Sequence, residues 1–252
     1  MTVRRVVRPW VSHLRGGLSA HSGPAPAPVL DSVDYEAYWL DRGVPEPTEP
    51  SPDDPWDYPR FLAIAALTHP GERVADIGCG GGSLLAFLRN RGWTDLVGVD
   101  VSETTVAALR EYGYEAVAAP LETFDPAQLG HVDVAVLSEV LEHLVPFEDV
   151  LGRVAAHADR VIISHPNIGF WVHRWRLMTG RFPIQWGWHP GEHVRFFTVV
   201  DLREFLEREG YEVLSLTAPV GVPSRRLRER WPNLFADHVI VELRSRPPVL
   251  SG

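Results

Sequence analysis

Short apolar runs alternate with amphipathic stretches through the middle of this chain. The apolar runs predict strands at Val74–Ile77, Leu96–Val99, Ala116–Ala119, Val132–Leu137 and Arg160–Ser164. The stretches between them predict helices at Ser83–Asn90, Glu103–Tyr112 and Phe147–His157, with a weak one at Pro126–Leu129. Continuous apolar runs are typical of strands that are buried on both faces of a parallel sheet. We therefore predict an α/β fold, a doubly wound sheet with right-handed crossovers.

The two ends of the chain depart from this alternation. Residues 1–59 predict a flexible N-terminal arm that ends in a proline-rich connector, because the prolines between residues 43 and 59 disfavour both helix and strand. A helix is predicted at Phe61–His69. Residues 60–246 form the predicted main domain, with an aromatic insertion at 168–191 and a tail at 247–252. A helix at Val200–Glu209 and strands at Tyr211–Leu216 and His238–Leu243 close the domain.

A glycine turn follows the first strand directly and leads into a helix. Gly78, Gly80 and Gly82 lack a Cβ atom, so the backbone can take positive φ and a ligand can approach closely. Asp76, at the end of the strand, could accept a hydrogen bond from an amino group. The next strand ends in Asp100, about 20 residues after the turn, where an acceptor for ribose hydroxyls is expected. These features predict an adenosine-containing ligand in a Rossmann-like cleft.

The spelling D-I-G-C-G-G-G contains no lysine, which argues against a phosphate-binding Walker loop. It resembles the class I S-adenosylmethionine-dependent methyltransferases. The resemblance implies that Asp76 and the turn hold the methionine end of the cofactor, that Asp100 holds the ribose, and that an antiparallel hairpin closes the sheet. It implies these cofactor contacts: Asp76, Gly78, Cys79, Gly80, Gly82, Asp100, Val101, Leu121, Ser138 and, as part of an aromatic lid, Tyr38. A Rossmann-like domain for another ligand is the alternative.

A second polar group, in the sequence SEVLEHL, follows the fourth strand. If a helical turn begins there, Glu139, Glu142 and His143 share one face. One interpretation is a divalent metal site, such as one for Mg²⁺, completed by His193 with His189 behind it. A second is general-base catalysis by His143 or His193, with Glu139 in the catalytic group. A third is that these residues only cap the helix.

Three more specific resemblances follow. The E-x-x-E-H run with a later histidine resembles the metal-binding set of Hen-type small-RNA 2′-O-methyltransferases, and EHVRFFT resembles ubiquinone-pathway O-methyltransferases. The segment RVIISHPNIGFWVHRWRLMTGRFPIQW resembles the MetW family, and the similarity extends over about Arg73 to Val213. The chain departs from that family at SEVLEHL. It also departs from many class I members between Ala118 and Leu121, where they carry an aspartate against the adenine.

The aromatic insertion supplies candidate substrate contacts. Trp186 and Trp188 could line a pocket with His189, although large aromatic residues more often pack against a sheet. Arg174 lies in a basic cluster that could bind a phosphate or carboxylate of the acceptor, or could simply be a solvated face.

Charge and composition narrow the function further. A formal net charge of −9 makes nucleic acid and anionic membranes unlikely partners, and the single cysteine excludes an internal disulfide. No apolar run is long enough to span a bilayer, and we expect a cytoplasmic location and a small-molecule substrate. The predicted activity is methyl transfer from S-adenosylmethionine to an oxygen or nitrogen. The alternatives are a metal-dependent RNA 2′-O-methyltransferase and a non-catalytic, MetW-like partner protein.

Overall fold

The computed structural model describes residues 35–42, 46–183, 185 and 193–246, and its centre is one seven-stranded sheet. The strands are β1 Val74–Ile77, β2 Leu96–Asp100, β3 Glu115–Ala118, β4 Val132–Ser138, β5 Ala158–Pro166, β6 Tyr211–Gly221 and β7 Ala236–Ser245. Their order across the sheet is β3-β2-β1-β4-β5-β7-β6. The first five strands are parallel, whereas β7 runs antiparallel to both β5 and β6. The predicted mostly parallel sheet with an antiparallel C-terminal hairpin is confirmed.

Helices cover both faces of the sheet and connect its strands. They are α1 Tyr35–Arg42, α2 Asp57–Ala65, α3 Ser83–Arg89, α4 Glu103–Glu111, α5 Phe147–Ala155, α6 Trp171–Met178, α7 Val199–Arg208, α8 Arg225–Arg230 and α9 Pro232–Phe235, with single 3-10 turns at Pro126–Leu129 and Leu141–His143. The Ser102 side chain accepts a hydrogen bond from the Thr105 N–H and caps α4, and Thr198 caps α7 in the same way through Asp201.

Two apolar clusters, one on each face, hold the sheet in place. Phe147 and Leu151 of α5 pack on one face together with Leu206 of α7. Phe61 of α2 and Phe87 of α3 pack on the other. The parallel strands present buried side chains to both clusters, which accounts for their continuous apolar sequences. This packing fixes the carboxyl ends of β1, β2, β4 and β5 at one edge, where ligands of open α/β sheets bind.

The structure corrects one N-terminal expectation and adds a helix. Helix α2 begins at Asp57, before the predicted Phe61, and contains Pro59. Proline is tolerated there because the N–H groups of a first helical turn have no partner within the helix. A further helix, α1, lies within the segment predicted to be a flexible arm. Residues 1–34 and the 247–252 tail lie outside the described residues. Among the helices that the structure describes, none combines the length and the apolar character needed to cross a bilayer.

Candidate functional site

The glycine turn after β1 leaves no space for side chains. Gly78, Gly80 and Gly82 all have positive φ, at 81°, 49° and 76°. A Cβ atom on Gly78 would lie 2.6 Å from Cγ2 of Val140, and one on Gly80 would lie 3.0 Å from the Trp39 ring. The turn therefore needs glycine both for its backbone conformation and for the close packing of Val140 and Trp39 against it, and we refer to this glycine turn as the cradle.

Asp100 joins the turn to the end of β2. One carboxylate oxygen accepts a hydrogen bond of 2.8 Å from the Gly80 N–H, and the other accepts one of 3.0 Å from the Ser102 N–H. Burial raises the pKa of Asp100, and these backbone bonds oppose that rise. A carboxylate oxygen has lone pairs for more than one hydrogen bond, so Asp100 can still accept from two hydroxyl groups.

Asp76 lies next to this turn and is almost fully buried. Burial, reinforced by the charge of Asp100, raises the pKa of Asp76 to about 7. Two acids are thus held together in the cleft, where a cationic amino group would favour the ionised form of Asp76.

The other predicted cofactor contacts lie in varied positions. Cys79 is buried against Gly98, and burial raises the pKa of its thiol, which argues against a nucleophilic role. Val101 is exposed at the end of β2. Leu121 belongs to the core cluster beneath α5. Ser138 ends β4, where its Oγ lies 3.3 Å from Oγ of Ser164.

Helix α1 contacts the turn, α4 and the polar group after β4. Trp39 lies against Gly80 at one side of the cleft, and Tyr38 packs edge-on against Trp39 with ring centroids 5.2 Å apart. Glu36 accepts a hydrogen bond from the hydroxyl of Thr104 at the start of α4. Tyr35 packs edge-on against His143, with centroids 6.2 Å apart. Helix α1 therefore lies over the glycine turn and the start of α4.

The predicted shared helical face of SEVLEHL is wrong. Glu139 has φ of +56°, and only Leu141–His143 forms a 3-10 turn, so Glu139 leaves the helical spacing. Its carboxylate instead accepts a 2.6 Å hydrogen bond from Ser164 and lies 3.0 Å from Nε2 of His238. Burial alone would raise the pKa of Glu139, but His238, Arg60 and Ser164 hold it well below its usual range.

The side chains of Glu142 and His143 lie close to His193 instead. The ligand atoms of these three side chains lie within 4.8 Å of one another, and the two imidazole centroids are 4.7 Å apart. The Glu142 carbonyl fixes this approach because it accepts hydrogen bonds from the N–H groups of Val194 and Arg195. Among the described residues, the buried carboxylate of Glu142 has no hydrogen-bond partner, and burial raises its pKa well above the usual value. Burial and His143 lower the pKa of His193 to about 4.

Sequence reasoning missed Asp237 and His238 at the start of β7. Nδ1 of His238 lies 3.2 Å from Asp237, and Nε2 of His238 faces Glu139. Burial lowers the pKa of His238, but the two carboxylates outweigh that effect and raise it to about 10. The only signal was a polar pair opening the otherwise apolar run ADHVIVEL. The pair lies about 100 residues from SEVLEHL, so no local spacing pattern connects them.

The predicted substrate contacts are only partly covered. Trp186, Trp188 and His189 lie outside the described residues. Arg174 is described, and its guanidinium donates hydrogen bonds to the carbonyls of Gly169 and Asn233. No contact that the structure shows for Arg174 reaches the polar groups after β4.

The sheet order, the glycine turn and the acid after β2 together define the class I methyltransferase fold. A structure of this class, magnesium protoporphyrin IX methyltransferase from Synechocystis PCC 6803 with bound SAH, superposes with a TM-score of 0.54 at 18% identity and covers 84% of this chain and 98% of that one. The family model described as "Methionine biosynthesis protein MetW" matches residues 58–243. The chain therefore belongs to the MetW family.

Curated relatives extend this assignment. The bifunctional methionine biosynthesis protein MetXA/MetW of Rhodopirellula baltica is 30% identical over 162 residues, which are 57% of this chain and 26% of the relative. The ubiquinone biosynthesis O-methyltransferase of Bordetella avium is 34% identical over 92 residues, which are 34% of this chain and 38% of the relative. The chain thus spans about a quarter to two fifths of the length of these relatives.

Proposed function

We propose that this protein is an enzyme that uses S-adenosylmethionine to methylate an oxygen or nitrogen of a small metabolite. The observation that carries this proposal is the cradle formed by Gly78, Gly80 and Gly82 between two buried acids. The cradle is suited to the cofactor, because it lies between two acids at the carboxyl ends of β1 and β2, the edge at which ligands of open α/β sheets bind. Asp76 is suited to the ammonium group and Asp100 to the ribose hydroxyls.

The bound cofactor would supply the methyl group on an activated sulfonium. The chain's own residues would align the acceptor with it, and proximity of this kind accounts for much of the rate enhancement in such transfers. Helix α1 would exclude water by closing over the turn through Trp39. A hydroxyl acceptor also needs a base. We propose His193 for that role, because its imidazole packs on His143 after β4 and is neutral near pH 7. Its lowered pKa makes it a weak base, so it would accept the proton only as the methyl group transfers.

An assay of S-adenosylhomocysteine release tests this proposal. The protein is incubated with S-adenosylmethionine and pools of hydroxylated or amino metabolites, and we expect release with at least one pool. His193→Ala should abolish that release yet preserve binding of S-adenosylhomocysteine. The matched control is His131→Ala, because His131 is exposed beside Asp133 and Asp159, away from the glycine turn. Full activity of the His193 variant would exclude His193 as the general base.

A divalent metal bound by Glu142, His143 and His193 is a second candidate element of the site. It is favoured by the clustering of three ligand atoms and by a buried carboxylate that lacks a partner among the described residues. Two imidazoles and one carboxylate suit Zn²⁺ or Mn²⁺ better than the Mg²⁺ expected from the sequence, because Mg²⁺ prefers oxygen ligands. Calorimetric titration with Mn²⁺ should show one site that Glu142→Gln removes. Asp159→Asn is the control, because it disrupts the exposed His131, Asp133 and Asp159 group instead.

A bound metal would also favour the alternative function, RNA 2′-O-methylation. In that case, methylation of a small RNA should require the metal and should weaken steeply with salt. Methylation that is unaffected by a chelator would leave the small-molecule proposal in place and exclude the metal from the reaction.

A non-catalytic partner role is the remaining candidate, because one relative carries MetXA and MetW in a single chain. It predicts a stable complex with a separate biosynthetic enzyme and no methyl transfer to any acceptor. Turnover by the isolated protein would contradict it.

A further inference from the structure

Helix α6 presents an apolar face to solvent. Trp171, Trp175 and Met178 follow the i, i+4, i+7 spacing of one helix face, and they are 38%, 54% and 77% exposed. Leu177 beside them is 51% exposed. Soluble proteins rarely leave large apolar side chains grouped in this way unless the group binds something.

The opposite face of α6 anchors the helix firmly. Val172 and His173 are buried, and Nε2 of His173 lies 3.6 Å from the carboxylate of Asp237. Arg174 donates hydrogen bonds to the carbonyls of Gly169 and Asn233, so it ties α6 to the segment that contains α9. The exposed tryptophan and methionine side chains therefore belong to a helix that is anchored to the rest of the protein by its buried face.

Positive charge surrounds this face although the chain as a whole is acidic. Residues 160–191 contain no aspartate or glutamate, whereas the chain has a formal net charge of −9. Among the described residues, Arg174, Arg176 and Arg181 form no ion pair with a carboxylate. The α8–α9 segment, which Arg174 contacts through the Asn233 carbonyl, carries four further arginines and one glutamate. Arg230 lies 5.5 Å from the ring centroid of the half-exposed Trp231. The complement of such a surface carries negative charge.

The contacts of the arginines discriminate between anionic partners. Arg174 bonds to two backbone carbonyls and Arg176 bonds to the carbonyl of Phe182. Recognition of individual phosphates in nucleic acid relies on free guanidinium groups that can bond two oxygens at once. Arg174 and Arg176 therefore add a positive field while bonding to carbonyls of the chain, and the most exposed of the grouped apolar side chains is Met178, which cannot stack on a base. A second copy of this chain docked through the same face would place positive charge against positive charge.

We propose that the face formed by Trp171, Trp175 and Met178 docks on an anionic lipid surface. Trp175 and Met178 enter the boundary between headgroups and acyl chains, where tryptophan is favoured, and the arginines remain at headgroup level. The surface charge of the lipid provides the long-range attraction. This proposal does not depend on the proposed methyl transfer.

Co-sedimentation with vesicles tests the proposal. The full chain is mixed with phosphatidylcholine vesicles that contain about one third phosphatidylglycerol, and with vesicles of phosphatidylcholine alone. We expect sedimentation with the anionic vesicles only and release by high salt. The double substitution Trp175→Ala and Met178→Ala should weaken binding at least about tenfold. The matched control removes two exposed side chains elsewhere, Leu62→Ala and Tyr112→Ala, and should bind like the wild type.

A second measurement holds even if the double variant is unstable. Brominated acyl chains should quench tryptophan fluorescence in the complex, and Trp175→Phe should remove most of that quenching. Failure to sediment with anionic vesicles, or equal binding of the wild type and the double variant, would overturn the proposal. Equal binding to single-stranded RNA would assign the face to polyanions in general and overturn it too. If the wild type is a dimer in size-exclusion chromatography and the double variant is a monomer, the face binds a second copy of the chain and the lipid proposal is overturned.

Discussion

Replacing Asp100 with alanine should weaken binding of S-adenosylhomocysteine more than any change elsewhere on β2. In the folded protein the two carboxylate oxygens accept from the Gly80 and Ser102 N–H groups, which holds the glycine turn at the end of β2. The same oxygens are placed to accept from the ribose. A hydrogen bond to a charged group contributes about 1.5–3 kcal/mol. Loss of one such bond raises Kd by about 10- to 150-fold, and loss of two raises it further.

Isothermal titration calorimetry measures this change directly. Asp100→Asn keeps one acceptor oxygen and should lie between alanine and the wild type. The matched control is Asp95→Ala, because Asp95 precedes β2, at the opposite end of the strand from Asp100, and its carboxylate pairs with Arg73. Its Kd should match that of the wild type. An affinity of Asp100→Ala within about twofold of the wild type, with the fold intact by circular dichroism, would refute a ribose contact at this position.

Three other changes test the structure around the site. Because burial raises the pKa of Asp76 to about 7, the folded protein binds a proton that the unfolded chain has lost between about pH 4 and 7. The stability of the ligand-free protein should therefore fall as the pH rises through that range, and urea unfolding of Asp76→Asn should lose this slope; identical slopes would contradict the raised pKa. Gly82→Ala should destabilise the protein by about 1–3 kcal/mol, since the residue has positive φ and its new Cβ would overlap Leu109. A melting temperature equal to that of the wild type would count against this geometry. Glu139→Gln should leave His238 beside one carboxylate instead of two, so NMR titration should find the pKa of His238 well below about 10; an unchanged value would exclude the ion pair.

The sheet and the glycine turn were accessible from sequence because their signals are local. Apolar runs bounded by helical patterns define β1 to β5, and the D-I-G-C-G-G-G spelling marks the ligand edge. The weakest predictions fell on segments without such periodicity. Helix α1 has 8 residues, too few to establish a helical pattern in the sequence. Helix α2 begins within a proline-rich stretch, which is typical of a connector.

The polar group after β4 could be located from sequence but not correctly arranged. The i, i+3, i+4 spacing assumes a continuous helix, and the left-handed backbone of Glu139 breaks it. The resulting arrangement depends on partners that are distant in sequence. Ser164 on β5 donates a hydrogen bond to Glu139, His238 on β7 pairs with the same carboxylate, and the ring of His193 packs against that of His143. Tertiary contacts of this kind leave no trace in local spacing.

The proposed cofactor site is tested most directly by calorimetric titration of the wild-type protein with S-adenosylhomocysteine. The cradle between Asp76 and Asp100 predicts one site per chain and a Kd in the micromolar range, about −8 kcal/mol. It also predicts that S-adenosylmethionine binds competitively at the same site. Absence of binding at about 1 mM ligand, from protein that is folded and monodisperse, would contradict the assignment of this cleft to S-adenosylmethionine.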